Sequence, residues 1–123
     1  MMLKIEVKQE ESCAVLKISG RIMLGEEASL LRETAKSIIS SGQPRLVLDV
    51  SEVTYLDSAG LGVLYTKIWV WTRNAGGGFV FVQPQKKFLE ILQITKLTTV
   101  AEVFSTTAEA VEYFRKKAPQ KET

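Results

Sequence analysis

Leu46-Val47-Leu48-Asp49-Val50, running on through Val53-Thr54-Tyr55-Leu56 into Asp57-Ser58-Ala59-Gly60-Leu61-Gly62, is the stretch on which the fold turns. A continuous apolar run of this kind predicts a strand covered on both faces. We place it at the centre of a sheet. Leu61, Leu64, Tyr65 and Ile68 then recur at helical spacing, and Ala75-Gly76-Gly77-Gly78 supplies a stop, so a helix is predicted from Ser58 to Asn74. A strand passing into a helix through Asp57 and Ser58 puts Ser58 in the first turn. Free backbone N–H groups and the helix dipole there tolerate negative charge, which makes room for a phosphate on the hydroxyl. The plainer reading is that Ser58 or Asp57 caps the helix and that the glycines serve close packing or an unusual turn. The short pattern alone leaves both open.

Working toward the C-terminus, Phe79-Val80-Phe81-Val82 predicts a second buried strand. Pro84 opens a short helix with Phe88, Ile91 and Leu92 inward, and Val100 to Phe104 predicts a last strand. Thr106-Thr107-Ala108-Glu109 has the pattern of a capping box, and Val111 and Phe114 anchor the final helix. Working toward the N-terminus, Ser41-Gly42-Gln43-Pro44 ends a helix from Glu26 to Ser40 whose apolar positions are Ala28, Leu31, Ala35 and Ile38. Glu26 and Glu27 suit its positive end. Before it, Leu3, Ile5 and Val7 alternate with Lys4, Glu6 and Lys8, and a strand from Cys13 to Ser19, closed by Gly20-Arg21, completes a hairpin through Glu10-Glu11-Ser12. The expected fold is therefore α/β: one domain over residues 1–117, with a mixed, largely parallel sheet of five strands, four helices, and a polar tail at 118–123.

With 46% hydrophobic and 24% charged residues among 123, the chain has the composition of a globular domain and not of a disordered or membrane-embedded one. The net charge of +2 comes from interspersed residues, so no footprint for nucleic acid or an anionic membrane is present. Met1 and Met2 lead straight into the alternating strand, with no apolar stretch of signal or membrane-spanning length, and a cytoplasmic location is expected. Cys13 is the one cysteine and reads as a small hydrophobe in a strand; neither a disulfide nor a metal site is expected. There is no histidine, and Asp57-Ser58-Ala59-Gly60 lacks the Gly-x-Ser-x-Gly elbow; both weigh against a serine hydrolase acting through Ser58, and no enzymatic activity is expected. Gly76-Gly77-Gly78 precedes a strand and is followed by no Lys-Ser/Thr pair, which makes it a tight turn and not a phosphate loop. Lys86-Lys87 reads as the solvated face of a helix.

The stretch from Leu46 to Leu64, with the Gly76-Gly77-Gly78 turn, Leu92-Gln93-Ile94-Thr95-Lys96-Leu97, Ile18-Ser19-Gly20-Arg21 and Val103-Phe104, closely resembles the STAS domain of anti-sigma factor antagonists. The resemblance covers almost the whole chain. It implies partner switching, in which the unphosphorylated protein binds an anti-sigma factor that is usually also a serine kinase, so that a sigma factor is released. Ser58 matches the family's phosphoacceptor, and Asp57 matches the acidic residue beside it that helps form the surface presented to the kinase. A phosphatase would restore the binding form. The resemblance leaves nucleotide binding open, but no residue cluster argues for it, and no obligatory cofactor is expected.

At about 100° per residue Ser58, Gly62, Thr66, Trp69 and Arg73 fall along one side of the helix and are expected to edge the partner-binding surface. Trp69 is the candidate anchor, the alternative being an aromatic packed under a neighbouring helix. One departure stands out: many family members carry an aspartate two positions after the Gly-Arg pair, where this chain has Ile22-Met23-Leu24-Gly25 before Glu26. Glu26 or Glu27 is a partial substitute. The other functional reading is a STAS-type scaffold subunit of a stress-signalling or lipid-transport complex without sigma control. The oligomeric state is not legible in the sequence.

Overall fold

A computed structural model describes residues 3–117; Met1, Met2 and the expected polar tail at 118–123 lie outside the described residues. Five strands, β1 (Lys4–Gln9), β2 (Ala14–Ile22), β3 (Arg45–Leu56), β4 (Gly78–Val82) and β5 (Val103–Phe104), form one sheet in that spatial order. β1 runs antiparallel to β2, and every other neighbouring pair is parallel. The helices are α1 (Glu26–Ser40), α2 (residues 58–74), α3 (Lys86–Ile94) and α4 (Thr107–Lys117). The expected mixed, largely parallel fold of five strands and four helices is the one observed.

Because the parallel strands advance across the sheet in one direction, their crossover helices gather on one face. Leu31, Ala35 and Ile38 of α1, Leu64 and Ile68 of α2, and Phe88 and Leu92 of α3 pack there with Leu16, Ile18, Leu46, Leu48 and Phe81 of the strands. The other face carries a smaller cluster, in which Ala110 and Phe114 of α4 cover Cys13, Val15, Val47, Val80 and Val82. Cys13 is fully buried there, and burial pushes its thiol up to about 11, with Glu10 adding to the effect. It packs as a hydrophobe and is a poor nucleophile at neutral pH.

Several boundaries differ from the sequence reading. β2 does not close at Gly20-Arg21 but continues to Ile22, and β3 continues past Val50 to Leu56. The two strands slip register between Lys17 and Ser19 and again between Gly20 and Arg21. Inward residues along β3 therefore stand three apart, Val50, Val53 and Leu56, all buried. Bulges break the period-two signal and hide the second half of the strand. The last strand begins at Val103, because Leu97–Thr99 is a 3-10 turn rather than its lead-in. The capping box at α4 is offset: the Thr106 hydroxyl accepts from Glu109 N–H at 3.1 Å, but the Glu109 carboxylate reaches back to the N–H of Ser105.

α2 is not a uniform α-helix. Val63–Ile68 is π-helical between two α-helical segments, Ser58–Gly62 and Trp69–Asn74, and the Trp69 N–H donates to the carbonyl of Leu64, five residues back. Gly60, Leu64, Ile68 and Thr72 are buried, one every fourth residue. In a straight α-helix residues four apart drift by about 40° each time, and a widened turn removes that drift. Thr72 is fully buried at the end of this row, its hydroxyl donating to the carbonyl of Ile68 at 2.8 Å.

Candidate functional site

β3 delivers Asp57 to the start of α2, where it adopts an extended backbone with φ −98° and caps the helix. Its Oδ1 accepts from Gly60 N–H at 3.0 Å, and its Oδ2 accepts from Leu24 N–H at 2.9 Å. Its own N–H donates to the carbonyl of Ile22 at 3.2 Å. Asp57 thus ties the first turn of α2 to the β2–α1 loop. The hydrogen bond from Gly60, and then that from Leu24, holds its carboxyl below the ordinary aspartate range. A depressed folded-state pKa means stability that is present at neutral pH and is lost as pH falls through the folded value. We expect Asp57→Ala to cost about 1 kcal/mol at neutral pH. Denaturant unfolding of both proteins would show the difference closing at acid pH, and a difference independent of pH would contradict the ionised cap.

Ser58 is the next residue, the first of α2, and it is exposed. Two residues on, Gly60 packs against the end of β2: a Cβ there would lie 2.7 Å from the carbonyl oxygen of Ile22 and 2.6 Å from Leu56 Cδ1. The glycine is a close-packing requirement, as the plainer sequence reading allowed. Gly60→Ala is expected to lower stability by about 2 kcal/mol, since a backbone oxygen cannot move aside as a side-chain tip can. Chemical denaturation measures this, and an unchanged midpoint would show that the two segments are free to part.

The five residues expected along one side of α2 do not form a single line. Ser58, Thr66 and Arg73 are exposed, Gly62 is half-buried, and Trp69 is half-buried and packed against the main core. The π-helical turn lags behind α-helical rotation by almost 20° per residue, about a quarter turn in all, and so swings Trp69 away from Ser58. Tyr65 stacks edge-on against Trp69 with ring centroids 5.9 Å apart, and the Arg73 guanidinium lies 5.2 Å from the Trp69 ring centroid. The tryptophan is thus shared between the core, against which it packs half-buried, and the exposed Arg73 that lies over its ring. Thr66 bonds its own helix, its hydroxyl donating to the carbonyl of Gly62 at 2.7 Å.

Two features near Ser58 were not picked out in the sequence. Leu24 is 78% exposed although its backbone is bonded to Asp57, and Tyr55 is 49% exposed with the Arg21 guanidinium 5.8 Å from its ring centroid. Exposed Glu26 and half-buried Glu27 open α1 beyond Gly25. Among the described residues no group of histidine, cysteine or carboxylate side chains could hold a metal ion, and no helix is long and apolar enough to cross a membrane.

A family model described as STAS domain matches residues 4–110. The chain belongs to the STAS domain family. A Thermotoga maritima protein provisionally named anti-sigma factor antagonist is 32% identical over 79 residues, 64% of this chain and 69% of that protein. A crystal structure under the same provisional name from that organism has a TM-score of 0.83 at 26% identity, covering 90% of this STAS chain and 94% of the other. The Bacillus subtilis anti-sigma-B factor antagonist is 26% identical over 103 residues, 84% of this chain and 92% of its own length. SpoIIAA, a Bacillus cell fate determinant, shares the fold. Its unphosphorylated form has a TM-score of 0.79 at 15% identity, covering 92% of this chain and 97% of that one, and its phosphorylated form 0.72 at 14%, covering 89% and 98%.

Proposed function

We propose that this STAS domain is an anti-sigma factor antagonist that works in the cytoplasm by partner switching. Unphosphorylated, it binds an anti-sigma factor that is also a serine kinase; phosphorylation of Ser58 ends the complex, and a phosphatase restores it. The observation that carries the reading is Ser58 itself: an exposed hydroxyl at the first position of a helix, on a turn already fixed by the Asp57 cap. A phosphoryl group there brings about −1.5 to −2 charges to a helix N-terminus without disturbing the core. Beside the ionised Asp57, it places a strongly hydrated dianion on ground that a partner has to desolvate. The names of the relatives and the phosphorylated form of SpoIIAA support the same reading.

Asp57, Ser58, Gly62, Thr66, Trp69 and Arg73 are proposed as the partner-binding residues. Asp57 holds the geometry of the surface, and Trp69 contributes through the part of its ring left exposed beside Arg73. The test is affinity capture from the native cytoplasm with wild type, Ser58→Ala and Ser58→Asp, reading both the bound proteins and the modification state of Ser58. A kinase-like partner kept by Ser58→Ala and lost by Ser58→Asp, with phosphate on wild-type Ser58, is the expected result. Identical partner sets with unmodified Ser58 would refute the switch, and stable co-purification with a larger assembly in all three would make the domain a scaffold subunit.

A further inference from the structure

We infer that Leu24 is a partner-contact residue of this surface, seated in an apolar socket of the protein that covers Ser58; the inference rests on the proposed function and adds to it the chemistry of the contact. Among the described residues only Leu24 and Ile94, at 78% and 80%, are large apolar side chains exposed to more than half. A single exposed leucine on a loose loop needs no explanation. Leu24 is differently placed, because its loop is tied down residue by residue. The carbonyl of Ile22 accepts from Asp57 N–H, the carbonyl of Met23 from Ala28 N–H at 2.9 Å, the N–H of Leu24 donates to Asp57 Oδ2, and the carbonyl of Gly25 accepts from Ser29 N–H at 3.0 Å. Gly25 turns the chain at φ +106°.

The backbone beneath Leu24 is therefore fixed while its side chain faces solvent. Docking it costs only the ordering of that one side chain, the condition under which an apolar contact returns most of its burial energy. Its position relative to the switch is set by a single carboxylate: Asp57 bonds Leu24 with one oxygen and is the residue before Ser58 in the chain. A specific interface covers about 800 Å² on each partner, far more than the span of one hydrogen bond and one peptide unit. A protein seated over Ser58 covers Leu24 as well, and desolvates it to advantage only by presenting apolar atoms. Ile94, at the far end of α3, shares no hydrogen bond with this turn and serves as the internal control.

The probe is the protein captured by the Ser58→Ala chain, purified and titrated against wild type, Leu24→Ala, Leu24→Met, Ile94→Ala and Ser58→Asp, with the melting temperature of each recorded. Leu24→Ala is expected to weaken binding about ten- to fifty-fold at unchanged melting temperature, because the lost atoms are exposed in the free protein. Leu24→Met is expected to recover most of the affinity and Ile94→Ala to match wild type. Leu24→Ala binding within twofold of wild type, while Ser58→Asp remains weak, overturns the role of Leu24 and leaves the switch standing. A loss on Leu24→Ala with wild-type binding by Ser58→Asp upholds the contact and overturns the switch. Capture of no protein by Ser58→Ala overturns both.

Discussion

Replacing Gly77 by alanine is expected to cost about 3 kcal/mol or more and to lower the melting temperature by about 10–15 °C. A Cβ at this position would lie 2.1 Å from the carbonyl oxygen of Pro44 and 2.6 Å from its carbonyl carbon. Neither atom has freedom to retreat, because Pro44 leads directly into β3 and its carbonyl accepts from Gly78 N–H at 3.1 Å. That bond opens the pairing of β3 with β4, whose first register pair is Arg45 with Gly78. Gly77 is also held from the other side, its N–H donating to the carbonyl of Thr72 at 2.7 Å. The neighbouring glycines provide the contrast. Gly76 has φ +83° with open space around it, so alanine there costs about 1 kcal/mol of backbone strain, and Gly78 has neither constraint. Thermal unfolding of the three single variants should rank Gly77→Ala far below Gly76→Ala, with Gly78→Ala near wild type. Equal melting temperatures for the Gly77 and Gly78 variants would show that the turn can leave Pro44 at no cost.

The same glycine run illustrates what the sequence could and could not convey. Three consecutive glycines after a helical stripe announce a stop and a turn, and nothing in their spacing says which one is needed for close approach. That depends on Pro44, more than thirty residues earlier in the chain. α1 was legible end to end because its four buried positions, Ala28, Leu31, Ala35 and Ile38, keep strict helical spacing and a glycine-proline turn follows. β3 was legible only in its first half, where Leu46, Val47, Leu48 and Val50 are all buried and only Asp49 interrupts the apolar run. Beyond Val50 one face opens to solvent and two register slips spoil the alternation.

At the candidate site, Ser58 and Asp57 were legible because a strand ending and a helix beginning fix where a serine between them must sit. The double role of the Asp57 carboxylate was not, since its second partner, Leu24 N–H, comes from a loop with no periodicity. The π-helical turn was equally hidden. Only burial at every fourth position, ending on the polar Thr72, betrays it, and an apolar-stripe reading does not look for a threonine. Missing that turn is what drew Ser58 and Trp69 onto one line.

Ser58→Asp is expected to weaken binding of the captured partner at least a hundredfold while leaving the fold intact. The fold survives because of where Ser58 sits. Ser58 is exposed, its side chain forms no hydrogen bond within the described structure, and a carboxylate at the first residue of a helix meets the favourable end of the dipole. The ionised Asp57 beside it offsets that gain, so the melting temperature should move by no more than one or two degrees. Binding is lost through desolvation: a carboxylate driven into a protein interface without a cationic partner costs several kcal/mol, and about 3 kcal/mol is already two orders of magnitude in affinity. Authentic phosphate, with more charge and bulk, should be stronger still, and Ser58→Ala should bind at least as tightly as wild type. Titration calorimetry with the purified partner reads all three. If Ser58→Asp retained wild-type affinity, the serine would be only the neighbour of a helix cap, and the domain's partner, whatever its identity, would be held without regard to charge at the head of α2. If instead affinity and melting temperature fell together, the effect would be structural and the switch would have to be sought in another residue.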